Sequence, residues 1–327
     1  MILVTGGAGF IGSNMVAALA GRGERVAVCD RLGHGEKWRN LARVALDEVI
    51  APEALLSALP LRTTALDTII HLGAISATTE TDADLVVDVN FRLSQELWRW
   101  CAAHARRFIY ASSAATYGCG EQGFDDDPAP DALARLRPLN PYGWSKHLFD
   151  RWVIRQVQEG APRPVQWAGL KFFNVYGPNE YHKGDMRSVV AHKYPLAAAA
   201  RPITLFRSHR SDVPDGEQKR DFIYVRDCVD VMLWLLDHDR VNGLFNLGTG
   251  QARSFADLAR AVCAALDRPL RLEFIDTPPA VRGHYQYFTE ARMDRLRQAG
   301  YVQPFTSLEA GVTDYVQRYL TQPDPYR

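Results

Sequence analysis

The run Gly6-Gly7-Ala8-Gly9-Phe10-Ile11-Gly12 follows directly on the apolar stretch Met1-Ile2-Leu3-Val4-Thr5, and it constrains the fold more than any other feature of the chain. Glycines at 6, 9 and 12 let the backbone turn tightly, let it approach a phosphate closely and let the next helix pack against a sheet. A helix is predicted from Ser13 to Ala20, closed by Gly21 and Gly23, and Arg25 to Asp30 reads as a second strand. A βαβ unit with this turn, ending in an acid 18 residues after Gly12, is a dinucleotide-binding unit.

The rest of the chain extends the alternation. Thr68 to Leu72, Arg107 to Ala111 and Val165 to Lys171 read as buried strands, and Asp84 to His104 and Tyr142 to Val157 as helices. This predicts a Rossmann-type doubly wound parallel sheet of the α/β class, with ligands at the carboxyl ends of its strands. Beyond Asn174 the texture changes, with irregular spacing until Val225. A helix at 227–236 and a strand at 244–248 then return to the sheet, and Ser254 caps a helix to Leu266. The expected division is a dinucleotide domain of 1–170 plus about 221–247. About 171–220 plus 248–327 would form a smaller, discontinuous α/β domain for substrate.

At 327 residues and 47% hydrophobic composition the chain can bury a substantial core. Its 38 basic residues balance 38 acidic ones, which argues against a nucleic-acid surface or a polybasic membrane patch. Five cysteines without paired spacing fit a reducing compartment, Cys119 reads as a bystander, and the histidines show no metal-ligand spacing, so no metal is expected. The glycine loop begins too early to leave room for a signal peptide, and no apolar run approaches the roughly 20 residues that cross a bilayer. A cytoplasmic protein is the expectation.

Chemistry enters with Ser113, Tyr142 and Lys146. Tyr142 and Lys146 are one helical turn apart and share a face. A tyrosine is too weak an acid to act as a base at neutral pH until a nearby ammonium favours its phenolate, and Lys146 is placed to do this. Ser113 would hold the reacting hydroxyl. The three together read as a site that oxidises a hydroxyl beside a nicotinamide ring. Asp30 favours a free ribose hydroxyl and hence NAD, whereas Arg31 and Lys37 beside it suit the 2′-phosphate of NADP. The expectation is NADP, with NAD open.

Gly6–Gly12, the stretch Tyr110-Ala-Ser-Ser-Ala-Ala-Thr-Tyr-Gly118 and Tyr142-Gly-Trp-Ser-Lys146 resemble the extended short-chain dehydrogenase/reductase family that acts on nucleotide sugars. Further stretches at 172–185, 219–225, 245–250 and 283–286 resemble its ADP-L-glycero-D-manno-heptose 6-epimerases over nearly the whole chain. That resemblance implies inversion of C6 of an ADP-heptose through a transient ketone, in a homo-oligomer, pentameric in the family. It implies that Lys183 is a second acid/base group facing Tyr142. Phe10, Ile11, Asp30, Arg31, Lys37, Asn90, Lys146, Val175 and the backbone of Leu72, Gly73, Ala74, Ile75 and Ser76 would line the dinucleotide. Asn174, Asp185 and His192, the run Phe206, Arg207, Ser208, His209, and Arg220 with Tyr285 would surround the nucleotide sugar, with Arg220 the natural diphosphate contact.

The chain departs from the pattern at Lys171, where arginine is usual, at Asp185, and in the charged loop 208–219, each of which bears on substrate choice. The nearest alternative is a UDP-hexose 4-epimerase, which would have no need of Lys183. A dehydratase would want acids where Ala114 and Ala115 stand, and a cofactor-sensing protein would have no use for Ser113, Tyr142 and Lys146 together.

Overall fold

The computed structural model describes residues 1–278, 282 and 285–327, so Gly283 and His284 of the 283–286 resemblance lie outside the described residues. A seven-stranded sheet is built from β1 (Ile2–Thr5), β2 (Val26–Cys29), β3 (Glu48–Ile50), β4 (Thr68–His71), β5 (Arg107–Ser113), β6 (Gln166–Phe172) and, farther along the chain, Gly243–Leu247. Its pairings are all parallel. Strands such as Ile2–Thr5 and Val26–Cys29 are buried throughout, which is why they are continuously apolar rather than alternating.

From the edge formed by Gly243–Leu247 the order is that strand, then β6, β5, β4, β1, β2 and β3. The chain therefore leaves β1 in one direction and resumes at β4 in the other. The loops after β1 and β4 diverge there and open a crevice at the carboxyl ends of the strands.

Helix α1 (Phe10–Gly21) begins three residues earlier than the sequence reading placed it, because Gly9 already acts as its N-cap. The helix expected over 84–104 is present as Ala83–Val87 and Leu93–Ala103, joined by one wide π turn, Asp88–Arg92. Helix α2 (Pro141–Gln158) carries Tyr142 and Lys146.

Residues 174–224, expected to be irregular, contain a good deal of regular structure. Strands β7 (Asn174–Tyr176), β8 (Ile203–Phe206) and β9 (Lys219–Tyr224) are present, with a helix at Val189–Ala198. β9 lies between β7, to which it is parallel, and Ala252–Ser254, to which it is antiparallel, while β8 pairs with Leu272–Ile275. These elements surround a second apolar core that includes Tyr176, Val190, Leu205, Val262, Val312 and Tyr315. Phe10, the first residue of α1, packs into that second core, whereas Ala291, Met293, Leu296 and Tyr301 pack into the core of the large sheet. Among the described residues no helix is long and apolar enough to cross a membrane.

Candidate functional site

A cavity of about 950 Å³ lies at the divergence of β1 and β4, between the two cores. Gly6 forms its floor at φ +67°, and a Cβ there would stand 2.6 Å from the Gly73 nitrogen, so the two strand-end loops can meet only through glycine. Gly9 caps α1 without a side-chain hydrogen bond. The first amides of α1 are thus free to bind an anion, with the helix dipole behind them. Asp30 closes one end of the cavity. Its carboxylate accepts from the Ala8 amide at 2.9 Å and from the Lys37 ammonium at 2.6 Å, and the neighbouring Arg31 pairs with Glu53.

The loop after β4 is held by a continuous chain of hydrogen bonds. The Gly73 amide donates to the Thr5 hydroxyl, which contacts His71 Nδ1 at 2.6 Å, and His71 Nε2 meets Ser94 at 2.9 Å. Ser94 donates to the Asn90 carbonyl, so Nε2 carries the imidazole proton and Nδ1 accepts from Thr5. Burial, with Lys146 nearby, pushes the His71 pKa down to about 3 and keeps the ring neutral. Asn90 completes the chain through both the amide and the carbonyl of Ile75, at 2.8 and 2.9 Å. Leu72 to Ser76 line the cavity, while Asn90 stands one layer behind them.

Ser113 ends β5, and Tyr142 and Lys146 face it from the first turns of α2. Asn140 caps this helix by accepting from the Gly143 amide at 2.8 Å, with Pro141 at its first position. A Cβ on Gly143 would meet the Ala115 carbonyl at 2.7 Å, so glycine is what lets the helix lie against the end of β5. Burial raises the Tyr142 pKa, and a hydrogen bond with Ser113 opposes that rise. The Lys146 pKa is brought down to about 8 by desolvation, with Asp150 opposing.

Lys183 reaches the same cavity from a short turn, Tyr181–Met186, with its ammonium 5.5 Å from the centre of the Phe10 ring. Burial lowers its pKa, opposed by the charge of Glu180. Glu180 is fully buried and accepts from the Ser188 hydroxyl at 2.7 Å, which ties the turn to the following helix.

Gly6, Gly9, Phe10, Ile11, Gly12, Asp30, Arg31, Lys37, Ser113, Tyr142, Lys146, Asn174, Val175 and Lys183 all line this cavity. Leu72 to Ser76 line it as well, and the remaining candidates do not. Arg220, Phe206 and Tyr285 form a cluster beside it, in which the Arg220 guanidinium lies 5.6 Å from the ring of Phe255, itself a lining residue. Arg220 is 5.4 Å from the Tyr285 ring, and Phe206 packs edge-on to Tyr285. Burial lowers the Arg220 pKa to about 10, and among the described residues no carboxylate pairs with it. Arg207, Ser208 and His209 lie on the neighbouring loop, where the Ser208 amide donates to Asp215 and the His209 amide to Tyr287. Asp185 is exposed and its carbonyl contacts His192.

Lys171, one of the departures from the family pattern, is wholly buried behind the site. It pairs with Asp150 at 2.6 Å and donates to Thr116 at 2.8 Å. Cys119 is exposed and outside the lining. The lining also includes His71, His182 and Arg187, which the sequence reading missed. His71 lies one residue before the carboxyl end of a predicted strand, and that position was the available signal. His182 lies in, and Arg187 directly after, a short turn whose direction no periodicity reports.

A family profile described as the NAD dependent epimerase/dehydratase family matches residues 2–248. The ADP-L-glycero-D-manno-heptose-6-epimerase of Nitratidesulfovibrio vulgaris (strain DP4) is 51% identical over 332 residues, spanning 100% of both chains. Among solved structures, the ADP-L-glycero-D-manno-heptose-6-epimerase of Helicobacter pylori superposes with a TM-score of 0.77 at 29% identity, covering 97% of this chain and 95% of that one. The UDP-glucose 4-epimerase of Thermus thermophilus, solved with NAD, gives a TM-score of 0.74 at 25% identity, covering 96% and 97%.

Proposed function

The chain belongs to the NAD dependent epimerase/dehydratase family, and from that premise we propose that it converts ADP-D-glycero-D-manno-heptose into ADP-L-glycero-D-manno-heptose by inverting C6 of the heptose. One observation carries the reading: Tyr142 and Lys183, two groups able to move a proton, line one cavity from different elements. Inverting an exocyclic carbon through a ketone while the rest of the sugar stays bound requires hydride to leave one face and return to the other, so each stereoisomer needs its own proton-transfer group. In a UDP-hexose 4-epimerase the whole ring turns over, one group serves both epimers, and Lys183 would have no such task.

A bound nicotinamide supplies the hydride acceptor and donor. The free amides at the start of α1, Asp30, the 72–76 backbone, Lys146 and Val175 hold the dinucleotide, and Asn90 keeps the 72–76 loop in place from behind. NADP is the preferred form in this reading, because Lys37 already offsets the Asp30 charge and Arg31 can exchange Glu53 for a 2′-phosphate. Ser113 Oγ holds the reacting hydroxyl. Tyr142 Oη takes or gives its proton in one epimer, and Lys183 Nζ does so in the other. The buried guanidinium of Arg220, which among the described residues pairs with no carboxylate, binds the diphosphate, and Asn174 with the Phe206–Tyr285 cluster borders the nucleotide sugar.

Residues 1–170 with about 221–247 serve as the cofactor domain, and the remainder as the nucleotide-sugar domain. The enzyme works in the cytoplasm as a homo-oligomer. Proton NMR of the purified protein with ADP-D-glycero-D-manno-heptose and no added cofactor tests the proposal. The C6 epimer should appear, and Lys183→Ala should slow its appearance by about 10²-fold or more; an inert substrate would exclude the assignment.

A further inference from the structure

Lys183 stands on a turn with little regular structure to hold it. Tyr181–Met186 is two short 3₁₀ pieces kinked at Gly184 (φ +54°), and the Lys183 amide donates to the Glu180 carbonyl at 3.1 Å. A group that must reach a substrate oxygen tolerates little displacement, since a misplacement of about 1 Å can cost about 10²-fold in rate.

The outer side of this turn is covered by a segment remote in sequence, residues 323–327. The Tyr181 hydroxyl donates to the Pro325 carbonyl at 2.9 Å, and the rings of Tyr181 and Tyr326 pack edge to face at 5.2 Å. Arg327 reaches deeper. Its guanidinium donates to Asn14 Oδ1 and its amide to Asn179 Oδ1, both at 3.0 Å. Asn14 lies in α1 and donates onward to the Pro178 carbonyl at 2.9 Å, so Arg327 locks the start of the Lys183 loop onto α1.

The same segment grips the turn that carries Lys37. The Tyr326 ring lies 4.4 Å from the Arg39 guanidinium, and Arg43 donates to the Tyr326 carbonyl at 3.1 Å. Asp324 pairs with Arg39 and Arg43, but these pairs are exposed and add little. The Tyr326 side chain, only 8% exposed, and the Arg327 contacts are what bind the pieces together.

We propose that Tyr326 and Arg327 are positioning residues for Lys183, strapping its turn to α1 and to the Lys37 turn so that the ammonium is held at the cavity. This rests on the reading of Lys183 as the second proton-transfer group. With cofactor kept saturating to offset any shift of the Lys37 turn, loosening the strap leaves the nucleotide-sugar contacts in place and displaces a group of the chemical step, so turnover falls and substrate affinity does not.

The test measures epimerisation of ADP-D-glycero-D-manno-heptose by Tyr326→Ala, Tyr326→Phe and Arg327→Gln, each in the parent chain and in Lys183→Ala. Tyr326→Ala should lower kcat about ten-fold with KM changed by less than about two-fold. Tyr326→Phe keeps both ring contacts and should restore the rate. In Lys183→Ala the strap substitutions should have no further effect, because they act through the missing group. Arg327→Gln should follow the same pattern, and it decides the matter if thermal melting shows Tyr326→Ala to be unfolded. An unchanged kcat, an effect on KM alone, or an equal loss in the Lys183→Ala background would overturn the proposal. If Lys183→Ala alone matched the parent enzyme, the two-base reading would fail on that arm, independently of the strap variants.

Discussion

Tyr142 is subject to three influences, and their balance decides whether it can take a proton. Burial raises its pKa, the Ser113 hydroxyl lowers it, and its place in the first turn of α2 puts a positive dipole end beside the phenolate. Replacing Tyr142 by Phe should lower kcat by about 10²–10⁴-fold without unfolding the protein, as read by the NMR rate assay and by thermal melting. His71 provides a pH test of the framework. Its folded pKa, about 3, lies below the ordinary histidine value of 6.5, so the unfolded chain binds more protons between these values. Stability is therefore complete above 6.5 and is lost as pH falls towards 3. Urea unfolding at pH 7 and pH 4.5 should show a loss of about 2–3 kcal/mol from this group, and His71→Gln should abolish that part of the difference. A pH dependence identical in both proteins would contradict it. At this scale Ser113, Tyr142 and Lys146 were legible because spacing alone puts the last two on one helix face. The burial of Lys171 was not legible, since a charged side chain is read as exposed until a partner such as Asp150, 21 residues away in sequence, is seen beside it.

The two elements that shape the site are helix starts, one capped by glycine and one by asparagine. At α2 the absence of a side chain on Gly143 sets the distance between the helix and the end of β5. Gly143→Ala would press a methyl group on the Ala115 carbonyl and move Tyr142 away from Ser113. The expected result is a fall in kcat of about ten-fold or more with the fold retained, measured by the rate assay and circular dichroism; parent-like turnover would contradict it. Helices and strands of the large sheet could be read from the sequence because their apolar runs are long and bounded by glycine, proline or caps. β9 could not. Its Arg220 and Asp221 are both buried, and Asp221 is satisfied by Thr249, Gly250 and Ala291, contacts made by residues remote in the chain. The strands β7 and β8 are only partly buried, so they lack the continuous apolar run that marks the equally short β1 and β2.

On the scale of the whole molecule, the cavity arises where the large sheet reverses its strand order and a second core closes over the reversal. The doubly wound sheet follows from the alternation of apolar strands and helices, and so does the location of a site at its strand ends. The arrangement of the second core does not, because it gathers residues from 174–205, 222–225, 255–265 and 308–316 that carry no shared local pattern. The central claim concerns what this closed site does, which is to remove hydride from C6 and return it to the same carbon. Substrate carrying deuterium at C6 of the heptose, converted in ordinary water, tests it most directly. The account predicts an epimerised product that keeps its deuterium at C6, with no exchange against solvent. Product in which C6 deuterium has been replaced by solvent hydrogen would contradict it, because that outcome belongs to proton abstraction rather than to transient oxidation.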